Sequence, residues 1–231
     1  MIRRLIVTAS LFIALTGSFP IPQAFATQPE IIHNEETVSP FSICERNIDS
    51  TGLPSSVKKY TKYRLEEGFF ECEIPEDWVN RRDRNEDKRT RVYGTIFVLK
   101  DSRAGIKPWI DVSYYTIDNT YFISAADYLN RQFEPPIIKL EGEEISAVRE
   151  VLVNGHAAKQ FTKDTLGFWP PHSMNAKEIK VREEYTVLEI GREFCVLIYS
   201  APDSQFLEYR PDYQHILDTF RAYPTVHSEQ K

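Results

Sequence analysis

The 231-residue sequence lacks the short motifs that mark the common enzyme classes. It has no Gly-x-Ser-x-Gly elbow, no phosphate-binding loop, no His-Glu-x-x-His zinc motif and no dinucleotide-binding glycine pattern. The sequence therefore indicates no catalytic residue and no cofactor. A hydrolase remains an alternative only if its site is assembled from residues that are distant in sequence.

Cysteine is also scarce, with three residues and no Cys-x-x-Cys pair, so nothing supports a redox motif or a four-cysteine zinc site. Cys44 lies in a segment without periodicity, Cys72 in a predicted strand and Cys195 in an apolar run. We predict a Cys44–Cys72 disulfide, because Cys44 can reach a partner without distorting a sheet. Closing that loop would stabilise the fold by roughly 3–4 kcal/mol. We expect Cys195 to remain a buried thiol.

No apolar run after the first 26 residues approaches the length that crosses a bilayer. The first segment has the pattern of a signal peptide, since Arg3 and Arg4 precede the apolar run 5–19. Ala24-Phe25-Ala26 then supplies the small-x-small site that a signal peptidase cuts. We expect residues 1–26 to be removed, which would leave a secreted or periplasmic protein with no transmembrane segment.

The charge of the chain argues against nucleic acid as a partner. The formal net charge is -6, and the signal peptide contains two arginines and no acids, so removing it gives -6 - 2 = -8. An acidic protein repels the phosphate backbone. The 42% of hydrophobic residues, with 14 Phe and 12 Tyr, are sufficient for the core of one large domain.

Periodicity divides the mature chain into an irregular arm (27–59), a folded domain (60–223) and a short tail (224–231). Ser124, with Asp127 three residues later, predicts the start of a helix that ends at Pro135-Pro136. Pro211 predicts the start of a terminal helix that runs to Tyr223. Alternating apolar residues predict strands at 60–65, 69–74, 93–100, 109–116, 145–153, 156–164, 179–190 and 193–200. This order predicts an α+β fold, in which helices flank an antiparallel sheet.

Several motifs resemble the PsbP-type domain, a family that includes the extrinsic PsbP subunit of photosystem II, a Ran-binding nuclear transport factor and bacterial secreted proteins. The motifs are Gly68-Phe69-Phe70-x-Cys72-x-Ile74-Pro75-x-x-Trp78, Asn154-Gly155-His156-Ala157-Ala158, Tyr199-Ser200-Ala201-Pro202 and Phe206-x-x-Tyr209-x-Pro211-x-Tyr213-x-x-Ile216-Leu217-x-x-Phe220. The resemblance covers about residues 60 to 223 and implies an α/β/α sandwich. It implies no activity, because the family shares no catalytic residues.

A basic segment, residues 81–91, stands out in this acidic protein. It carries six basic and three acidic residues, and we predict that it is a charged loop between strands. Its candidate partner-binding residues are Arg81, Arg82, Arg84, Lys88, Arg89 and Arg91. One interpretation is a docking patch for an acidic partner or for anionic lipid head groups. The alternative is a solvated loop whose opposite charges neutralise each other.

A second candidate surface is the predicted loop 165–176, where Phe168, Trp169 and His172 lie among prolines. One interpretation is a recognition site, and the alternative is a rigid surface loop without a binding role. We favour a secreted, non-enzymatic PsbP-like protein that docks on another envelope or surface protein. The first alternative is a module that binds a small ligand or a metal near Trp169 and His172. The second alternative is the hydrolase mentioned above.

Overall fold

The computed structural model describes residues 58–100, 106–135, 141–170 and 174–225. The predicted signal peptide, the arm up to residue 57, and the tail from residue 226 lie outside the described residues. Cys44 and His172 also lie outside them. The Cys44–Cys72 disulfide and a role for His172 therefore stay predictions.

Eleven strands and three helices are found in the described residues. The strands are β1 (Tyr60–Arg64), β2 (Phe70–Pro75), β3 (Trp78–Arg81), β4 (Val92–Leu99), β5 (Trp109–Tyr115), β6 (Glu144–Ile145), β7 (Arg149–Val153), β8 (His156–Trp169), β9 (Lys177–Ile190), β10 (Glu193–Pro202) and β11 (Arg221–Ala222). The helices are α1 (Arg84–Thr90), α2 (Ala125–Gln132) and α3 (Asp203–Thr219).

Eight of these strands form one antiparallel sheet with the order β3-β4-β5-β10-β9-β8-β6, in which β7 also pairs with β8. A smaller antiparallel sheet has the order β1-β2-β11. The predicted β1–β2 hairpin is thus present, with Gly68 at a φ of 80° in its turn. The predicted Asn154-Gly155 turn joins β7 to β8, and both residues have the positive φ that a primed turn requires.

Both faces of the large sheet are covered, which gives the predicted α/β/α sandwich. One face packs on α3 and the small sheet through Tyr114, Leu197, Tyr199 and Ile216, which are all fully buried. The other face packs on α2, where Tyr128 and Leu129 lie against strand residues such as Phe194. The α+β fold class is confirmed.

The α2 helix begins as its sequence predicts. The Ser124 hydroxyl accepts a hydrogen bond from the Asp127 backbone N–H at 3.1 Å. The Asp127 carboxylate in turn accepts from the Ile123 backbone N–H at 3.1 Å. These two bonds satisfy donors that a helix start would otherwise leave without partners.

The start of the terminal helix was predicted wrongly. It begins at Asp203, so Pro211 lies inside α3, and the helix ends at Thr219 before the short strand β11. The first two turns contribute Phe206 to the core, where it is 4% exposed. Burying such a side chain contributes about 2 kcal/mol, which helps to offset the cost of the backbone hydrogen bond that Pro211 cannot donate.

A buried polar network joins α3 to the sheet. The Tyr213 hydroxyl lies 2.8 Å from Thr186 Oγ1 and 3.1 Å from the Leu197 carbonyl oxygen. Gln160 Nε2 donates to the same Thr186 oxygen at 3.0 Å. Nearby, the buried Glu184 carboxylate accepts from Arg210 Nε at 2.8 Å. Because the network pairs these buried polar groups with each other, it fixes the position of α3 on the sheet.

The two cysteines in the described residues, Cys72 and Cys195, are free and buried. Burial raises the pKa of the Cys72 thiol to about 12 and that of Cys195 well above its usual value. Burial therefore favours the protonated form of both thiols.

None of the helices in the described part of the chain is long and apolar enough to cross a bilayer. Those same residues contain no group of three or more His, Cys, Asp or Glu side chains arranged to hold a metal ion.

The α3 network generates a stability prediction. We expect Tyr213→Phe to lower the free energy of unfolding by about 1 kcal/mol, because it removes a buried hydroxyl that bonds to Thr186. Urea denaturation measures the change. The control is Tyr121→Phe, which removes an exposed hydroxyl and should change stability by about 0.5 kcal/mol or less. Equal losses in the two variants would contradict the role given to the network.

Candidate functional site

The β8–β9 hairpin extends past the rest of the large sheet as a two-stranded ribbon. Strand β9 pairs with β10 only from Val181 onward, whereas its residues 177–180 pair with β8 alone. The prediction of a loop at 165–176 was therefore wrong for residues 165–169, where β8 continues to Trp169. Residues 165–169 do not alternate apolar with polar side chains, and they include a glycine, so the sequence pattern did not indicate a strand there.

The ribbon carries large apolar side chains at its outer end. Phe168 is 54% exposed, Trp169 is 38% exposed and Met174 is fully exposed. Phe168 lies opposite Glu178 in the ladder, and Trp169 lies opposite Lys177. Adjacent strand residues point to opposite faces, so each face of the ribbon presents one aromatic ring beside one charge. Each face of the tip thus exposes one aromatic side chain, a residue type that is enriched in protein interfaces.

The base of the ribbon is fixed by packing and by an ion pair. A Cβ atom on Gly167 would lie 2.9 Å from the Ile106 side chain and 3.3 Å from that of Val181, so only glycine fits without a shift. On the other face, Arg182 donates two hydrogen bonds to Asp164, at 2.7 and 2.9 Å. The packing at Gly167 and the Arg182–Asp164 pair therefore hold in place the part of the ribbon next to its exposed tip.

The prediction that the basic segment, residues 81–91, is a loop was also wrong, because most of it is helical. Arg81 ends β3, and residues 84–90 form α1, which Asp83 caps through the Asn85 and Glu86 N–H groups. Helix α1 has no apolar stripe, because its residues are charged or polar, and hydrophobic periodicity therefore could not predict it. Sequence alone offered one signal, the capping acid Asp83 just before a charged helical turn.

Arg82 is a buried structural residue. Its side chain is 8% exposed and contacts Asp87, which is 3% exposed, with Nε 2.6 Å from the carboxylate. A second hydrogen bond, also 2.6 Å, runs to Glu67. Burial alone would lower the pKa of Arg82, but these two carboxylates raise it above its ordinary value. Arg82 is therefore not available to a partner.

The other basic side chains of the segment are exposed but mostly paired. Arg84 contacts Glu66, and Arg89 contacts Glu86. Arg91 Nε lies 3.7 Å from Asp118. Arg81 and Lys88 are exposed as well. Neighbouring acids thus offset most of the positive charge on which the docking interpretation depends.

A cleft of about 390 Å³ lies beside Arg91, at one end of the large sheet. Its wall includes the aromatic rings of Phe69 and Tyr93, whose centroids are 4.8 Å apart. The remaining lining residues are Thr116, Ile117, Asp118, Glu193 and Thr225. We call this the Arg91 cleft. It could not be predicted from the sequence, because its residues come from five separate segments.

Glu193 is the buried acid of the Arg91 cleft. It accepts hydrogen bonds from the Tyr114 hydroxyl at 2.5 Å and from Thr225, through its backbone N–H at 2.9 Å and its hydroxyl at 2.6 Å. Burial would raise the pKa of Glu193, but these bonds to its charged form lower it below the ordinary value. The ionised carboxylate therefore fastens residue 225 to the sheet.

A smaller cleft of about 170 Å³ lies beside Arg182 and is lined by charged side chains. Three acids, Glu144, Asp164 and Asp203, face Lys180 and Arg182 across it. Arg182 donates two hydrogen bonds to Asp164, and its Nη2 also lies 3.6 Å from Asp203 Oδ1. This cleft is accounted for by its internal ion pairs.

A scan against protein-family models gives no match, and a search of curated proteins gives none either. Among solved structures, cyanobacterial PsbP from Synechocystis sp. PCC 6803 is similar, with 12% identity, a TM-score of 0.43, and coverage of 76% of this chain and 99% of that one. The Ran-binding protein Mog1p of Saccharomyces cerevisiae has 10% identity, a TM-score of 0.43, and coverage of 73% and 97%.

A third similar structure is LpqN of Mycobacterium tuberculosis, described as involved in cell envelope biogenesis. It has 20% identity, a TM-score of 0.43, and coverage of 72% of this chain and 91% of that one. The solved structures thus include PsbP and Mog1p, which represent the fold that the sequence motifs resemble. The likeness concerns the fold alone and assigns no partner or activity to this chain.

Arg82 and Arg84 provide a matched test of the basic segment. We expect Arg82→Gln to lower the free energy of unfolding by about 3 kcal/mol, because it leaves the buried Asp87 carboxylate without its cation. Arg84→Gln removes the same charge from an exposed pair, so its effect should be about 0.5 kcal/mol or less. Denaturant titration measures both. Similar, small effects would show that Arg82 is not structural.

Glu193 gives a prediction of pH dependence. Its pKa is lower in the folded than in the unfolded chain, so its stabilisation is present above the unfolded pKa, about 4.5, and is lost as the pH falls through the folded pKa. The stability difference between wild type and Glu193→Gln, measured by denaturation across this range, should therefore shrink on acidification. A difference that stays constant with pH would contradict the proposed ionised state.

Proposed function

We propose that this chain is a secreted, non-enzymatic protein that docks on another protein of the cell envelope through the tip of the β8–β9 hairpin. The observation that carries the proposal is the group of exposed apolar side chains, Phe168, Trp169 and Met174, on a ribbon that extends past the sheet. The secretory part rests on the signal-peptide pattern of residues 1–26.

The chemistry of the tip suits a protein pocket. Aromatic side chains are enriched among the residues that dominate protein interfaces, and they lose little conformational entropy on binding. Lys177 and Glu178 flank the rings in the ladder and can pair with charges at the rim of a partner. The ordered base at Gly167 and Asp164 limits the entropy that docking would cost.

The basic segment supports docking less well than the hairpin. The Arg82 side chain is buried, and Arg84 and Arg89 are already paired with acids of the same chain. A partner would have to compete with those pairs. We therefore assign the main contact to the hairpin and only a steering role to the exposed arginines.

Site-specific photo-crosslinking tests the proposal. A photoreactive amino acid replaces Phe168 in one strain and Leu207 in another; Leu207 is a matched apolar residue on α3 that is 77% exposed. We expect a defined protein adduct from position 168 and none from position 207. Adding Trp169→Ser should sharply reduce the adduct at 168, since truncating an aromatic hot spot costs about 2 kcal/mol or more.

Two controls make the result decisive. N-terminal sequencing of the crosslinked chain should begin at Thr27, and the protein should be recovered outside the cytoplasm. A chain that begins at Met1 and is found only in the cytosol would reject the secretory part. Equal crosslinking from positions 168 and 207 would reject the hairpin as the docking site.

A further inference from the structure

Tyr93 is the first sign that the Arg91 cleft holds a ligand. It lines the cleft and is only 9% exposed. Its ring packs on Phe69, but its hydroxyl makes no hydrogen bond to any other residue in the part of the chain that the structure describes. A tyrosine hydroxyl can both donate and accept, and one that lines a cleft is free to bond to a group inside it. A polar group that enters the cleft would satisfy the Tyr93 hydroxyl.

Arg91 supplies a cation at the mouth of the cleft. It is the C-cap of α1, with a φ of 58°, and its backbone N–H bonds to the Asp87 carbonyl oxygen at 2.9 Å. Its side chain is 53% exposed, and the 3.7 Å between its Nε and Asp118 Oδ2 exceeds hydrogen-bond length. The distance is that of an ion pair with Asp118, which leaves the other guanidinium nitrogens facing solvent or a ligand. Its fork of donors matches the two oxygens of a carboxylate.

The acids of the cleft decide the charge of the ligand. Asp118 lies beside Arg91 and accepts a hydrogen bond from the Thr116 hydroxyl at 2.7 Å, and Glu193 lies deeper, ionised and bonded to Tyr114 and Thr225. Two negative charges against one positive charge disfavour a simple anion. A ligand that carries an ammonium as well as a carboxylate satisfies both signs. Because the Arg91 and Asp118 charges are only 3.7 Å apart, the two groups of the ligand must be close neighbours.

The rest of the cleft is apolar. Phe69 and Ile117 contribute hydrocarbon surface, and the Phe69 ring also stacks on Tyr114 at 4.8 Å. The cleft volume of about 390 Å³ is within the range of sites for small molecules, roughly 300–1,000 Å³. There is thus room for a side chain of the ligand beside its charged groups.

We propose that the Arg91 cleft binds a free α-amino acid with an apolar side chain. The carboxylate of the ligand pairs with Arg91 and accepts from the Tyr93 hydroxyl, its ammonium faces Asp118, and its side chain packs on Phe69 and Ile117. This site does not depend on hairpin docking, so either proposal can fail without the other.

Calorimetric titration of the purified protein tests the assignment with four small molecules. They are L-phenylalanine, 3-phenylpropionate, which lacks the ammonium, phenethylamine, which lacks the carboxylate, and glycine, which lacks the side chain. We expect saturable binding of phenylalanine. Each of the others should bind about tenfold more weakly or worse, because each loses a charged hydrogen-bonding group or the apolar contact.

Variants then locate the site. Arg91→Gln should weaken phenylalanine binding by about tenfold or more, and Tyr93→Phe by about threefold. Arg81→Gln, which removes an exposed arginine outside the cleft, should leave binding unchanged. Amide chemical shifts should report the fold of each variant and should show phenylalanine-dependent changes at Tyr93 and Thr225. If Arg91→Gln disturbs the fold, Tyr93→Phe and the ligand series decide.

Three results would overturn the proposal. The first is the absence of saturable binding up to about 10 mM phenylalanine, which corresponds to a binding free energy weaker than about 3 kcal/mol. The second is equal binding by phenylpropionate or phenethylamine, which would remove the need for both charges. The third is binding that neither Arg91→Gln nor Tyr93→Phe alters, which would place the ligand elsewhere.

Discussion

The rest of the structure depends on the burial of β10 on both faces. Phe194 and Val196 point to the α2 side, whereas Leu197 and Tyr199 point to the α3 side, and all four are at most 1% exposed. A strand of this composition cannot face water on either side. The sheet must therefore be covered twice, which requires α3 with the small sheet on one side and α2 on the other. The three-layer fold follows from that single constraint.

The same constraint determines which charged residues are left for function. Two of the buried charged groups are paired within the fold, Glu184 with Arg210 and Asp87 with Arg82. These pairs keep buried charges satisfied, and their net contribution to stability is small compared with the cost of breaking one. The exposed features of the described residues include the apolar tip at Phe168 and Trp169 and the Arg91 cleft. These are the two places to which we assign binding in the proposals above.

The fold could be predicted from the sequence wherever a local pattern had one physical meaning. Ser124 with Asp127, and Asn154 with Gly155, gave a helix start and a turn at the correct residues. Prediction failed where tertiary packing overrode a local signal: Pro211 marks a helix start in isolation but lies inside α3. The Arg91 cleft could not be predicted, because it brings together residues that no spacing rule connects.

The central claim is that the β8–β9 ribbon serves binding and not folding. Thr165 and Val181 are paired across the ladder, so replacing residues 166–180 with Asn-Gly closes the strands with a two-residue turn. The measurement compares the unfolding midpoint of this variant, and its binding to the protein crosslinked at position 168, with those of wild type. The account predicts a nearly unchanged midpoint and a complete loss of binding. Retained binding, or a chain that no longer folds, would contradict it.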